Sequence, residues 1–253
     1  MTYRSCDVET TSLPKEGEPS GIMELGWCDM RFDIIKPPKS VLVDCGIPCS
    51  IEARAKHHIS DEMIAGEIRP DEAARMLADG DHDYLVAHNI DHEKHYLGPG
   101  VRPSTSGGES EPREWICTYK TALRIWPDSP GHKLHELRYF LDLDAADDFN
   151  EDHAMPPHRA GPDAYVCMHL LRRILKEITV EKAVLWSSGP ALLYMCFMKK
   201  HKGKPWHEVA REDPSYLDFI LNKSDITDRD IRATAKYWLR KVSEEKTTTS
   251  GPT

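Results

Sequence analysis

The chain is 253 residues long, 40% hydrophobic and 30% charged, with a formal net charge of -9. That length carries one domain of about 180 residues and a small appendage with a proper core; no apolar run approaches membrane-spanning length, and the N-terminus lacks a signal-peptide pattern. Seven cysteines, an odd number without framework spacing, fit reduced thiols rather than disulfides, and the expected setting is cytoplasmic.

A first strand is expected over residues 3–9, and Asp7-Val8-Glu9-Thr10 stands at its C-terminal end. Side chains alternate along a strand, so Asp7 and Glu9 share a side while Val8 points away. Two anions that close repel, and proton sharing or a bound cation relieves the strain. A hard divalent cation such as Mg2+ takes oxygen ligands and keeps room for water and phosphate, so the pair reads as half of a phosphoryl-transfer site. An acid-rich surface turn is the competing reading.

Strands over 22–33 and 41–44 follow, joined by loops containing Gly17, Pro19, Pro37 and Pro38. Cys45, Cys49, His57 and His58 have poor spacing for zinc and read as ordinary thiols and histidines. An acid-rich helix over 71–79 is expected to end at Gly80 as its C-cap. Residues 84–87 form a short apolar strand that ends in His88-Asn89, ahead of a helix bearing Asp91 and Glu93. The Gly/Ser/Pro-rich stretch 98–111 reads as a mobile surface insertion. A last strand over 115–118 and helices around Thr121 and Leu134 lead to a loop with His158. Pro162 and Asp163 open a further helix, whose Cys167, Leu170, Leu171, Ile174, Leu175 and Ile178 recur at helical spacing on one buried face. Mixed strands and helices in this order suit an α/β fold, a central mixed sheet flanked by helices.

The order Asp-x-Glu, then His-Asn followed by an acid, then His-x4-Asp resembles the DEDDh (DnaQ-like) 3'-5' exonuclease superfamily, with its RNase H-like fold. Glu114-Trp115-Ile116-Cys117-Thr118, Arg124-Ile125-Trp126-Pro127 and the stretch from Lys202 to Leu217 resemble its exodeoxyribonuclease X-like branch. The resemblance spans nearly the whole chain. It implies an exonuclease domain over 1–180 and a small C-terminal module over 185–241, while the composition of 242–253 suggests a disordered tail.

The family pattern places its second-motif aspartate five residues after the histidine of His-Asn, which here falls on Glu93. Asp91 comes two residues early, and a helix turning about 100° per residue would aim it nearly oppositely. Glu93 is therefore expected as the working acid, with Asp91 as its alternative and a weakened or dead site as the opposing reading. The resemblance implies two Mg2+ or Mn2+ ions held by Asp7, Glu9, Glu93 and Asp163, with Asp7 bridging both. It further implies that His158 deprotonates the attacking water, a structural hydrogen bond at the helix start being the competing reading, and that nucleoside 5'-monophosphates leave a 3' end of DNA. The same chemistry on RNA is a near variant, since no residue identifiable in the sequence reads a 2'-hydroxyl. Trp115 and Trp126 are candidates to stack on terminal bases, although such residues are more often core.

A net charge of -9 does not exclude nucleic acid, because phosphate binding needs only a local basic surface. The local candidate is Lys199, Lys200, Lys202 and Lys204, in the C-terminal module. A solvated loop is the bland reading of that run.

Overall fold

A computed structural model of the protein describes residues 1–14, 17–97 and 114–249. The insertion expected over 98–111 therefore lies outside the described residues. The chain divides into two compact units, Met1–Tyr119 with Pro130–Ser187, and Lys120–Ser129 with Ser188–Thr253.

In the first unit, β1 (Thr2–Thr10) and β2 (Ile22–Arg31) are buried along most of their length on both faces, as central strands covered on two sides must be. Phe32 and Asp33 take left-handed backbone at φ 51° and 67°, the geometry of a tight two-residue hairpin. The strand expected to reach residue 33 therefore stops at Arg31 and returns as β3 (Ile34–Ile35). β4 (Lys39–Leu42) also pairs with β2, two residues earlier than expected. Helices α1 (Ile51–His57), α2 (Asp61–Ile64) and α3 (Pro70–Ala78) follow. Asp79, in extended conformation, closes α3, so Gly80 lies one residue beyond the cap position assigned to it.

β5 (Tyr84–Ala87) leads into α4 (Ile90–Leu97), and β6 (Glu114–Cys117) into α5 (Thr118–Ile125). The sheet order is β3-β2-β1-β5-β6, antiparallel at β1–β2 and parallel at β1–β5 and β5–β6. This is the expected mixed sheet. Trp115 lies within β6 and packs against the main core cluster, which favours the core reading of that residue over base stacking.

α6 (Leu134–Phe140) precedes α7 (Ala160–Ile174) and α8 (Val180–Ser188). α7 is buried nearly all round through Leu171, not on one face as its periodicity suggested. It lies on β1 and β2 and is covered in turn by α6, and Ala160, Gly161 and Ala164 at its start let neighbouring backbone come close.

The second unit contains α9 (Trp206–Glu212), α10 (Pro214–Asn222) and α11 (Arg229–Thr249) around a core of Trp206, Val209, Leu217, Ile220, Ile231 and Val242. α11 continues past Val242, whose side chain is buried in that core; burial there favours helix where composition alone suggested a disordered tail. No helix among the described residues is long and apolar enough to cross a membrane.

Candidate active site

Asp7 and Glu9 leave β1 on one side, with Val8 buried on the other. Asp7 pairs in register with Gly26 of β2, and a Cβ on Gly26 would sit 2.1 Å from the backbone carbon of Ala160. Only glycine permits that approach. The first turn of α7 therefore rests directly on β2, anchored by the Ser5 hydroxyl donating to the Ala164 carbonyl at 2.6 Å. The result brings one carboxylate oxygen each of Asp7, Glu9 and Asp163 within 4.8 Å of one another.

Glu93 completes this side of the cleft. Asn89, at φ 96°, turns the chain sharply from β5 into α4, whose buried positions are Ile90, Glu93 and Leu97. Glu93 is 2% exposed and its Oε2 has no hydrogen-bond partner among the described residues, whereas Asp91 is exposed. A step of two residues on a helix accounts for the opposite fates. Before them, His88 is clamped between the Thr118 hydroxyl at 2.9 Å and the His132 carbonyl at 2.8 Å. Its burial lowers its pKa to about 4, so it stays neutral and holds the end of β5 in place.

The electrostatics are those of like charges with little counter-charge. Burial first, then the charges of Asp163, Glu9, Glu93 and Glu24, push the Asp7 carboxyl well above the usual carboxylate range. Glu9 is raised to about 8 by burial and by Asp163 and Glu24, against the opposing charges of Arg159 and Lys56. Glu93 is raised to about 8, chiefly by burial. An orphaned buried carboxylate oxygen beside three converging ones is a donor set that fits a hard divalent cation.

His158 lies exposed at the cleft with φ 59°. The left-handed region is uncommon for a residue with a side chain and tends to persist where the surroundings enforce it. Here they do: Arg159 is held by two 2.8 Å bonds to Glu24, whose Oε2 also accepts from the Ala160 amide at 3.1 Å. Glu24 is 1% exposed and faces Glu9 across the β1–β2 ladder. His135 is a further member absent from the sequence reading, with Nε2 at 2.8 Å from Asp163 Oδ1 and its ring 6.4 Å from that of His158. No local spacing marks Glu24 or His135; only the Arg next to His158 hinted at a partner.

The lysine run is separate from this cleft in sequence and lies in the second unit. Lys200 pairs with Asp213 at 2.6 Å and Lys204 with Glu212 at 2.5 Å, while Lys199 and Lys202 are exposed and make no ion pair among the described residues. Cys49 Sγ lies 3.8 Å from His57 Nε2, but the group of His, Cys, Asp and Glu able to hold a metal among the described residues is Asp7, Glu9 and Asp163.

No family model matches the chain. It is similar to exodeoxyribonuclease 10 of Escherichia coli strain K12, 28% identical over 238 residues that make up 93% of this chain and 98% of that enzyme. A solved structure of exonuclease X in complex with 5' overhanging duplex DNA aligns at a TM-score of 0.57 and 27% identity, over 73% of this chain and 99% of that one. The nuclease domain of 3'hExo, a DEDDh family member bound to rAMP, has a TM-score of 0.50 at 17% identity over 70% of this chain and 92% of its own, a likeness of fold.

Proposed function

We infer that this chain, a member of the DEDDh exonuclease superfamily, is a metal-dependent 3'-5' exonuclease that acts on DNA and releases nucleoside 5'-monophosphates. The observation that carries the reading is the convergence of Asp7, Glu9 and Asp163 beside the orphaned carboxylate of Glu93. Like charges do not gather in a buried cleft without something to neutralise them. The four would hold two Mg2+ or Mn2+ ions, with Glu93 in the place of the family's aspartate.

Divalent cations bound there supply Lewis-acid polarisation of the scissile phosphate and offset its charge. The rest falls to the side chains. His158, exposed at the cleft, takes a proton from the attacking water on an imidazole nitrogen. The water oxygen bonds to phosphorus, the bond from phosphorus to the 3' oxygen breaks, and that oxygen is protonated from solvent. His135 orients Asp163, and the Glu24–Arg159 pair fixes the backbone from which His158 projects. Lys199 and Lys202, with no ion-pair partner among the described residues, are the members of the lysine run we assign to phosphate contact. The seven free cysteines suit the reducing cytoplasm.

End-labelled single-stranded DNA, duplex DNA and RNA, each with Mg2+, with Mn2+ and with a chelator, test the reading. Stepwise shortening from the 3' end that stops in chelator is expected, with DNA degraded faster than RNA. Degradation that persists in chelator would overturn the metal chemistry, and faster loss of RNA would make the chain an exoribonuclease.

A further inference from the structure

The cleft of about 560 Å3 around Asp7, Glu9, Glu93 and Asp163 is lined, among the described residues, by further acids, Glu18 and Glu52, and by a single permanently charged cation, Lys56. Lys56 sits in the last turn of α1, and the fold fixes that helix at both ends to the segment just after Glu9. At the start, the Ser50 amide donates to the Thr11 carbonyl at 2.8 Å and the Ser50 hydroxyl caps the Ala53 amide at 3.1 Å. At the end, His57 is buried next to Lys56. Its Nδ1 accepts from the Ile59 amide at 3.0 Å, which leaves Nε2 protonated and 3.3 Å from the Thr10 carbonyl. The backbone of Lys56 is therefore tied at both ends of its helix to the segment that follows Glu9.

Its side chain is exposed and makes no ion pair among the described residues. That is informative because Glu52, four residues earlier on the same helix, stands at the spacing at which Glu–Lys pairs ordinarily form. The nearby Arg159 is engaged by Glu24. Once cations satisfy the carboxylates, Lys56 is, among the described residues, the one fixed positive charge on the cleft wall without an ion-pair partner, and the incoming strand brings one negative charge per phosphodiester.

We propose that Lys56 binds a phosphate of the strand being degraded, as a substrate-positioning residue of this cleft. This rests on the exonuclease reading, and contact between an ammonium and a phosphate oxygen is sequence-independent. It sets the strand's path past the carboxylates and takes no part in bond breaking.

The test is steady-state kinetics on a 5'-labelled oligothymidylate at several salt concentrations, comparing wild type with Lys56→Ala, Lys56→Glu and Lys56→Arg. Lys56→Ala is expected to raise KM roughly three- to tenfold with kcat within about twofold, and to make the slope of log KM against log salt shallower by about 0.7, the share of one single-strand phosphate. Lys56→Glu should raise KM further and Lys56→Arg should stay near wild type. Unchanged KM and salt slope in Lys56→Glu, with the wild type active, would overturn the proposal. So would a variant whose KM holds while its metal requirement rises, because Lys56 would then only offset the charge of Glu9. A wild type inactive with every metal would instead sink the exonuclease reading.

Discussion

The carboxylates of the first unit and the lysines of the second are both runs of like charge, and the fold treats them oppositely. Asp7, Glu9 and Asp163 converge with little cationic help, and Glu93, lining the same cleft, keeps an oxygen with no hydrogen-bond partner among the described residues. In the lysine run, Lys200 and Lys204 find Asp213 and Glu212, and Asp213 also takes His201 at 3.0 Å while its carboxyl is held well below the usual range by these bonds. Charge left unbalanced in a buried cleft points to a ligand that balances it. Charge balanced within the chain is accounted for by the fold, and an exposed pair of this kind adds little to stability because solvent screens it. Glu24 and Arg159 make an intermediate case, buried and balanced, and act by holding the neighbours of His158.

The sharpest way to break the contrast is to remove a charge from the unbalanced cluster. Asp7→Ala should lower nuclease activity on the order of a thousandfold or more, since several kcal/mol of transition-state stabilisation depend on the cations it holds. Its melting temperature in chelator should be no lower than wild type, because a repelling charge is gone; activity that survives would show the cluster is not the site. Next in size, Glu93→Ala should cost on the order of a hundredfold, while Asp91→Ala stays within about twofold. A reversal of those two outcomes, measured on the same labelled DNA, would mean that the exposed acid does the work.

Unbalancing the balanced pair is the converse experiment. Arg159→Ala leaves Glu24 buried with the Ala160 amide as its remaining hydrogen bond, and urea unfolding should show a loss of about 3 kcal/mol together with reduced activity through His158. A loss under about 0.5 kcal/mol would show that water reaches Glu24 and that the pair does not fix the loop.

The cluster also predicts a pH dependence. Glu9 and Glu93 are raised from the ordinary carboxyl range to about 8 in the metal-free fold, so the folded state binds more protons than the unfolded state between about pH 4.5 and 8. Stability in chelator is then greatest below pH 4.5, as far as these two groups contribute, and is lost as pH rises through 8. Melting temperature in chelator should fall across that window, and Mg2+ or Mn2+ should restore it most at the alkaline end. Glu9→Gln and Glu93→Gln should each flatten the fall; a flat profile in the wild type would mean the carboxyls are already relieved. The smallest effect is expected in the second unit, where Lys199→Ala with Lys202→Ala should make the salt dependence of DNA binding shallower, and Lys200→Ala with Lys204→Ala should change it less. Equal slopes in both double variants would erase the distinction between paired and unpaired lysines.

Much of the cleft was legible because its signals are local. A period of two puts Asp7 and Glu9 on one side of a strand, a rotation of 100° per residue separates Glu93 from Asp91, and Pro162 with Asp163 marks the start of a helix. The extent of burial of α7 was not legible, since periodicity reports which face is apolar and not how many layers cover it. For helix α1 only a helix start near His57 was read, not its bounds, although Ser50 before Ile51 fits an N-cap.

The amino-acid order by itself determined the kind of element, the direction of each acid along it and the sequence of motifs that resembles the DEDDh superfamily. The tertiary structure alone decided which charges are balanced. Glu24 meets Arg159 across 135 residues, Asp163 meets His135 from another helix, Lys200 is claimed by Asp213, and Lys56 is left facing the cleft. Side-chain direction follows from backbone geometry over a few residues, whereas a charge's partner depends on which distant segments fold against it, as the bare backbone of Gly26 lets α7 do above Asp7.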